Sequence, residues 1–235
     1  MKLISDLKEK IKSLGYNEDD ANARICQDIL LKALSNSTLN RNVTIKGGVV
    51  MRSITKNIRR ATQDMDIDFI RYSLSDDAID AFISKINCID GITIKRKGRI
   101  EELSQQDYHG KRALIVITDE DGNSIESKID FGVHNRLGII QEEYCFDIFF
   151  DDEGASLLIN SKEQMVAEKL RALLKFGRFN TRYKDVYDIY YYCNMINVER
   201  FLICMKALVF DDPQMREKNM EDVYKRISKV FQDES

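Results

Sequence analysis

Three aspartates at every second position, Asp64, Asp66 and Asp68, constrain this 235-residue chain more than any other feature. Alternate residues of a β-strand point to the same face of a sheet. On a strand, the three carboxylates therefore form one row, and their mutual repulsion is costly unless cations lie among them. A hard cation such as Mg²⁺ takes oxygen ligands and is commonly shared with substrate phosphates. The pattern predicts a metal site on a strand.

A double glycine, Gly47-Gly48, precedes this row and lies between an apolar segment ending at Lys46 and a basic segment of helical character. Glycine lets backbone N–H groups approach a phosphate closely, and a helix N-terminus adds partial positive charge. A Gly-Gly pair alone is equally typical of an ordinary turn. The carboxylates that follow favour the phosphate site, because a phosphate cradle and a metal pair would then face each other.

A third carboxylate is expected on a neighbouring strand if two metal ions are to be held. In the segment 124–131, apolar residues alternate with polar ones, and Asp130 belongs to the polar set with Lys128 two positions before it. Asp130 is therefore the candidate third ligand. The same alternation is also typical of a solvated face of an antiparallel strand.

Composition describes a globular protein, with 43% hydrophobic and 32% charged residues. The net charge of −3 argues against a basic coat for nucleic acid, although Arg41 to Arg60 holds six Lys or Arg and no acid. The five cysteines contain no CxxC pair, which favours reduced thiols. We expect a cytoplasmic protein with no membrane segment, because the N-terminus lacks a signal-peptide core and no apolar run reaches about 20 residues.

The periodicity of apolar residues predicts an α+β fold, with a mixed sheet flanked by helices and a C-terminal helical bundle. An Asp-Gly pair in residues 119–122 predicts a hairpin. The predicted domains are 1–160, with two N-terminal helices as a lid on the sheet, and 161–235, which is helical. Strands are predicted at 43–46, 65–70, 92–95, 113–118, 124–131 and 144–150, with a helix at 76–87.

The motifs Gly47-Gly48, Asp64-x-Asp66 and Asp130 together resemble the nucleotidyltransferase fold of the DNA polymerase β type. In their wider context they are similar to the AbiEii/AbiGii toxin family (DUF1814). The segments that carry this resemblance are Lys46-Gly-Gly, Arg60-Ala-Thr62-Gln-Asp64-Met-Asp66, Lys128-Ile-Asp130, Ala167-Glu-Lys169-Leu, Arg178, and Lys184-Asp185-Val-Tyr-Asp188-Ile-Tyr190. They cover roughly residues 45–190.

The resemblance implies a nucleotidyltransferase that moves a nucleoside monophosphate from an NTP, often GTP or CTP, to an RNA, such as a tRNA end, or to a protein. It also implies a toxin of a toxin–antitoxin or abortive-infection system, with an antitoxin as partner and Mg²⁺ or Mn²⁺ as cofactor. Family members often carry Ser or Thr where this chain has Val49, so Ser53 is the candidate replacement hydroxyl. The implied catalytic and metal-binding residues are Asp64, Asp66 and Asp130, and the implied nucleotide-binding residues are Lys46, Gly47, Gly48, Ser53, Arg60, Lys128, Lys169, Arg178, Lys184 and Asp185.

Several assignments have alternatives at this level. The metal pair can be Asp66 and Asp68 instead of Asp64 and Asp66, although the Thr62-x-Asp64 frame fits the family better. Lys169 can reach the triphosphate from a facing helix or be a surface lysine, and Asp188 can tie two helices together. The tyrosines between residues 187 and 192 can stack a base or pack in the core.

Two other functions are also compatible with the sequence. The Glu126-Ser-Lys128 triplet is an E-x-K pattern, which occurs in metal-dependent nucleases, although a nuclease does not explain the double glycine. The other possible function is that of a binding or scaffold subunit, in which the chain is a catalytically degenerate member of the family. Three alternating acids argue against that reading, because without a metal they would destabilise the fold.

Overall fold

A computed structural model describes residues 3–57, 60, 62–103, 110–136, 138–177 and 183–231. The chain divides into two compact units, one of residues 1–135 with 141–159 and the other of residues 136–140 with 160–235. The described part of the first unit contains four helices, α1 Leu3–Ser13, α2 Glu18–Asn36, α3 Gly47–Thr55 and α4 Asp76–Ile86. Its seven strands are β1 Val43–Lys46, β2 Asp64–Phe69, β3 Ile92–Leu103, β4 Gly110–Asp119, β5 Ser124–Val133, β6 Glu142–Ile148 and β7 Asp151–Ile159.

The seven strands form one mixed sheet in the order β3-β4-β5-β2-β1-β7-β6. The strand with the aspartates, β2, lies near the centre, antiparallel to β1 and parallel to β5. Because β2 is central, its face opposite the three aspartates is apolar and covered. Met65, Ile67 and Phe69 on that face are fully buried. Helices α2 and α4 cover that apolar face, so the polar residues of β2 are left on the opposite face.

The core of the first unit is built around α2 and a cluster of aromatic rings. Phe69 lies between Phe82 of α4 and Phe131 of β5, with ring centroids 5.1 and 5.3 Å away. Most side chains of α2 are buried, and α2 packs on β5 and β7, so this helix covers the sheet as predicted. Asn17 caps α2 by accepting a 2.8 Å hydrogen bond from the Asp20 amide.

The described part of the second unit is helical. It contains α5 Lys162–Phe176, α6 Tyr183–Tyr192, α7 Val198–Met205, a π-helical turn Lys206–Phe210 and α8 Met220–Phe231. Ser161 caps α5 by accepting a 3.2 Å hydrogen bond from the Gln164 amide. Helix α5 packs against the other three helices, and its Met165, Val166, Leu173 and Leu174 are buried. The α+β class is therefore confirmed.

One strand, β7, was not predicted, although it pairs in parallel with β1 and joins the β6–β7 hairpin to the centre of the sheet. Its first residues, Asp-Asp-Glu-Gly, are typical of a loop, and the actual turn contains Phe149 and Phe150, which are not turn formers. Two other strands, β3 and β4, are longer than predicted. In the described part of the chain, no helix is long and apolar enough to cross a membrane.

Candidate active site

The aspartate row of β2 faces the polar side of the sheet, opposite the aromatic core. Its two strand neighbours bring Lys46 and Asp130 directly beside Asp66, one on each side. Neighbouring strands are about 4.8 Å apart, so these three side chains start from positions close enough to interact. The sequence alone placed Asp64, Asp66 and Asp68 on one face. The sheet order adds Asp130 to that face.

Lys46 forms an ion pair with Asp68, with Nζ 2.7 Å from Oδ1. Both side chains are nearly buried, with exposed fractions of 11% and 6%. This pair neutralises the third aspartate of the row within the protein. Asp68 therefore has a cation of its own, which favours Asp64 and Asp66 over Asp66 and Asp68 as the pair that faces a ligand.

Asp66 is packed against the double glycine. A Cβ atom placed on Gly47 would lie 2.2 Å from Oδ2 of Asp66, and Gly47 has a φ of +68°. Both facts require glycine at this position. Burial raises the pKa of Asp66 to about 6, Lys46 opposes this effect, and the nearby carboxylates of Asp130, Asp64 and Asp68 add to it. The raised pKa expresses the cost of holding this carboxylate ionised.

The phosphate cradle predicted at the double glycine is the N-terminus of α3. Helix α3 begins at Gly47, and its N-cap residue, Lys46, makes no side-chain capping hydrogen bond within the described structure. The amides of the first turn therefore point away from any side-chain cap, as an anion site requires. A Cβ on Gly48 would lie 2.7 Å from Thr62, so the loop before β2 closes directly over this turn.

A buried polar network holds that loop in place. Gln27 of α2 donates a 2.8 Å hydrogen bond from Nε2 to the carbonyl of Thr62, and Arg52 of α3 donates to Gln27 Oε1. Arg52 is 3% exposed, and burial lowers its pKa to about 10. The network connects α2, α3 and the loop at Thr62, and so it fixes the loop that packs on Gly48 at the start of α3.

Asp130 forms an ion pair with Arg112, a residue that was not predicted to belong to the site. Arg112 of β4 lies directly opposite Asp130 and forms a bidentate pair, with Nε–Oδ1 at 2.6 Å and Nη2–Oδ2 at 2.8 Å. The same Nη2 lies 3.7 Å from Oδ2 of Asp64. These hydrogen bonds raise the pKa of Arg112 above its ordinary value, so the guanidinium stays charged. One sequence signal could have indicated this contact. The hairpin predicted at residues 119–122 determines the register of β4 on β5, and that register places Arg112 opposite Asp130.

The donor atoms on this face suit a divalent metal ion in chemical type. Asp64 and Asp66 present only carboxylate oxygens, and a cation between them would offset the cost seen in the raised Asp66 pKa. However, no three His, Cys, Asp or Glu side chains in the described ranges are grouped so that they could hold a metal ion. Two of these carboxylates have protein cations as partners, Arg112 for Asp130 and Lys46 for Asp68. The metal assignments of Asp64, Asp66 and Asp130 remain predictions.

Basic side chains continue from the aspartate row towards the β3 edge of the sheet. Lys128 is in register with Asp64, and Lys97 lies in the same cross-strand row with Leu114 between them. Lys128 is exposed and makes no ion pair with the residues that the structure describes. Lys97 pairs with Glu126, and both are about half exposed. This face of β3 and β5, with Lys95, Lys97 and Lys128, is called the basic row below.

Ser53 and Arg60 are two other predicted nucleotide-binding residues of this unit. Ser53 lies six residues beyond Gly47, about 9 Å along the helix axis, and its carbonyl accepts a 3.1 Å hydrogen bond from the Tyr144 hydroxyl. Arg60 is 9% exposed, and its amide donates to the Asn57 carbonyl at 2.9 Å. The roles of both side chains in nucleotide binding remain predictions.

The remaining candidates belong to the helical unit. Lys169 of α5 pairs with Asp185 at 2.9 Å and with Asp188 at 2.8 Å, both on α6. Burial opposes the charge of Lys169, but the two carboxylates outweigh it and raise its pKa. Lys184 is exposed, and Arg178 lies outside the described residues. Nucleotide binding by Lys169, Arg178, Lys184 and Asp185 remains a prediction, while the contacts show that Lys169 joins α5 to α6.

The tyrosines of α6 divide into two groups. Tyr192 is completely buried, as a core residue would be. Tyr190 is 76% exposed and Tyr183 is 81% exposed. Helical spacing alone does not distinguish these environments, because it does not say which face of the helix is covered.

The chain is similar to a known protein family over most of its length. The family model described as "Nucleotidyl transferase AbiEii toxin, Type IV TA system" matches residues 29–231. No curated protein has a matching sequence. Among solved structures, an antigenic nucleotidyltransferase-like protein from Paracoccidioides brasiliensis is similar, with a TM-score of 0.46 and 14% sequence identity over 87% of each chain.

Proposed function

The chain belongs to the AbiEii family of nucleotidyl transferase toxins, and from this premise we propose that it transfers a nucleoside monophosphate from an NTP to an RNA hydroxyl. Asp64, Asp66 and Asp130 form the proposed catalytic centre, with Mg²⁺ or Mn²⁺ as the cofactor. The family is described as the toxin of a type IV toxin–antitoxin system, so a cognate antitoxin is the expected partner.

The observation that carries this proposal is the contact between Asp66 and Gly47 at the start of α3. It brings a largely buried carboxylate on the polar side of the sheet next to a helix N-terminus that has no side-chain cap. A triphosphate bound at that N-terminus would lie beside Asp66 and one strand spacing from Asp130. Because phosphoryl transfer depends mainly on positioning and charge neutralisation, this proximity supports transfer at this place.

In the proposed reaction, the oxygen of the RNA hydroxyl attacks the α-phosphorus of the NTP. A new P–O bond forms, the bond from the α-phosphorus to the bridging oxygen breaks, and pyrophosphate leaves with that electron pair. The hydroxyl proton passes to a carboxylate, for which Asp130 is the candidate, and then to water. A bound divalent cation supplies charge neutralisation and lowers the pKa of the hydroxyl. The amides at the start of α3 orient the phosphates.

The basic row supports RNA as the acceptor. Lys128 is next to Asp64 in register, and Lys97 lies two strands further, about 10 Å away. Exposed lysines at this spacing can contact successive phosphates of a polynucleotide, whose affinity comes largely from such contacts. The row begins at the carboxylates, so an RNA that lies along it would present one end to the proposed centre.

The test is incubation of the purified protein with each α-labelled NTP, total RNA and Mg²⁺ or Mn²⁺, followed by separation of RNA from protein. Label in RNA is expected for the parent, with a loss of about 10²-fold or more in Asp64→Asn and Asp66→Asn. Asp80→Asn is the control, because Asp80 is a partly exposed acid on α4 that pairs with Arg96. Label found only in protein would show that the acceptor is a protein and not an RNA. Unchanged transfer by Asp66→Asn would overturn the proposed mechanism.

Among the residues that the structure describes, no contact favours the nuclease function. The two charged residues of the E-x-K triplet have different neighbours. Glu126 pairs with Lys97 in an exposed position, and Lys128 is in register with Asp64. Family membership also identifies the chain as a nucleotidyltransferase, so a scaffold without activity is not the expected role.

A further inference from the structure

Helix α6 carries its acidic and its aromatic residues on the faces opposite to those of an ordinary surface helix. Its two acids, Asp185 and Asp188, lie on the inner face, where both pair with Lys169 of α5. Its outer face carries large side chains at helical spacing, and all four are exposed: Tyr183, Val186, Tyr187 and Tyr190. These four residues are called the tyrosine face below.

The tyrosine face has the form of a binding surface, because exposed aromatic residues grouped on one side of a helix do not contribute to the core. The ring of Tyr187 lies against that of Tyr191, with centroids 6.4 Å apart and planes 26° from parallel. This neighbour restricts the Tyr187 ring, so less entropy is lost when a ligand binds. Tyr183 and Tyr190 are separated by about 10 Å along the helix axis, or roughly three nucleotide spacings of about 3.4 Å.

The charges around the tyrosine face complement a polynucleotide. Both acids of α6 pair with Lys169 on the inner face, so α6 presents no carboxylate on the tyrosine face. Lys184 is exposed next to Tyr183 and makes no ion pair with the residues that the structure describes. In the sequence, the ten residues from Lys175 to Lys184 contain four Lys or Arg and no acid. Exposed rings beside unopposed positive charge suit a ligand that has both bases and phosphates.

We propose that the tyrosine face binds a single-stranded segment of the acceptor RNA, with bases stacked on its exposed rings and a phosphate at Lys184. Unpaired bases offer their π-faces to aromatic side chains, whereas the bases of a duplex are already stacked on one another. Stacking tolerates any base, so this face holds the RNA without selecting a sequence. The inference rests on the proposed function and adds to it that the acceptor has unpaired nucleotides.

The test measures how the full chain binds a fluorescein-labelled single-stranded RNA of about eight nucleotides, by fluorescence anisotropy without NTP or divalent metal. Tyr190→Leu should weaken binding about tenfold, because it removes one stacking ring. The slope of log K against log salt should stay unchanged, because stacking releases no counterions. Tyr190→Phe keeps the ring and should bind as the parent does. Leucine is also apolar, so a general loss of apolar surface does not predict this difference.

Two controls separate this surface from exposed tyrosines and from RNA in general. Tyr224 of α8 is 73% exposed, and Tyr224→Leu should leave the affinity for single-stranded RNA unchanged. An equal loss in Tyr224→Leu would overturn the assignment to α6. A duplex of the same sequence should bind to Tyr190→Leu and to the parent alike, and an equal loss with the duplex would overturn recognition of unpaired bases. Tyr183→Leu replaces Tyr190→Leu if circular dichroism shows that the latter does not fold.

A second copy of the chain is the competing occupant, and sedimentation velocity tests it. A dimer that Tyr190→Glu converts to a monomer, together with unchanged RNA affinity in Tyr190→Leu, would assign the tyrosine face to self-association and overturn the inference. If every Tyr190 variant binds RNA as the parent does while Asp66→Asn loses label transfer to RNA, the inference fails and the proposed function stands. Label found only in protein would overturn the RNA acceptor in both.

Discussion

Gly47 and Asp66 are in such close contact that a Cβ on Gly47 would lie 2.2 Å from the Asp66 carboxylate oxygen Oδ2. No side chain fits between them, and the φ of +68° at Gly47 is a conformation that other residues adopt only with strain. The helix N-terminus and the carboxylate row are therefore one structural unit.

Gly47→Ala should abolish nucleotide transfer and lower the free energy of unfolding. The positive φ alone costs about 1–3 kcal/mol, and the added methyl group also displaces the Asp66 carboxylate. Urea denaturation measures the stability, and labelled-NTP transfer measures the activity. Gly122→Ala is the matched control, because Gly122 has a φ of +82° with nothing within 4 Å of its Cβ position. It should lose stability but keep transfer, and equal activities of the two variants would contradict the prediction.

Asp66→Asn should stabilise the metal-free protein at neutral and higher pH. The pKa of Asp66 is raised from 3.8 to about 6, so the folded protein binds more protons than the unfolded chain between those pH values. Stability of the parent should therefore fall as pH rises through this window, by on the order of 1–3 kcal/mol. Asparagine does not titrate, and the variant should lack that loss.

Urea denaturation in EDTA at pH 4 and pH 8 measures this effect. The advantage of Asp66→Asn over the parent should be larger at pH 8 than at pH 4. Asp80→Asn is the control of opposite sign, because hydrogen bonds from Arg96 lower the pKa of Asp80. A parent protein that becomes more stable relative to Asp66→Asn as the pH rises would show that burial does not raise the pKa of Asp66.

Lys169→Met should destabilise the helical unit by about 3–5 kcal/mol. The change removes the cation that pairs with Asp185 and Asp188, and Asp188 is completely buried. Lys184→Met is the matched control one helix away, because Lys184 is exposed and has no ion pair within the described residues. It should change stability by less than about 0.5 kcal/mol. Chemical denaturation followed by circular dichroism compares the two, and a similar small effect for both would contradict the structural role of Lys169.

Replacing lysines of the basic row should weaken RNA binding in a salt-dependent way. Lys95→Gln and Lys97→Gln each remove one phosphate contact, so the slope of log K against log salt should become shallower by roughly 0.7–1 for each. Filter binding at several salt concentrations measures the slope. Arg96 lies between them in sequence but pairs with Asp80 of α4, which covers the other face of the sheet. Arg96→Gln should leave the slope unchanged, and an equal effect of all three would argue against this surface.

Much of the site was recognisable in the sequence because its parts are local. The double glycine, the spacing of Asp64 and Asp66 and the later strand with Asp130 indicated the AbiEii family, and the family match over residues 29–231 confirms that resemblance. The N-cap at Asn17 and the hairpin before β5 were also predictable, because a few neighbouring residues determine each of them.

Other features were missed because distant segments decide them. Strand β7 begins with residues typical of a loop, and it is a strand because it pairs with both β1 and β6. Arg112 was not predicted as a residue of the site, because its contact with Asp130 depends on the register of β4 on β5. In both cases tertiary packing decided what the local pattern did not show.

The sequence by itself determined the family, the fold class and the row of carboxylates. The reason is that the spacing of apolar residues, the positions of glycines and the spacing of charged residues are all properties of short segments. Only the tertiary structure decided which cation each carboxylate meets: Lys46 for Asp68, and Arg112 for Asp130 and Asp64. The physical reason is that ion pairs across a sheet depend on strand order and register, which arise from the packing of the whole unit.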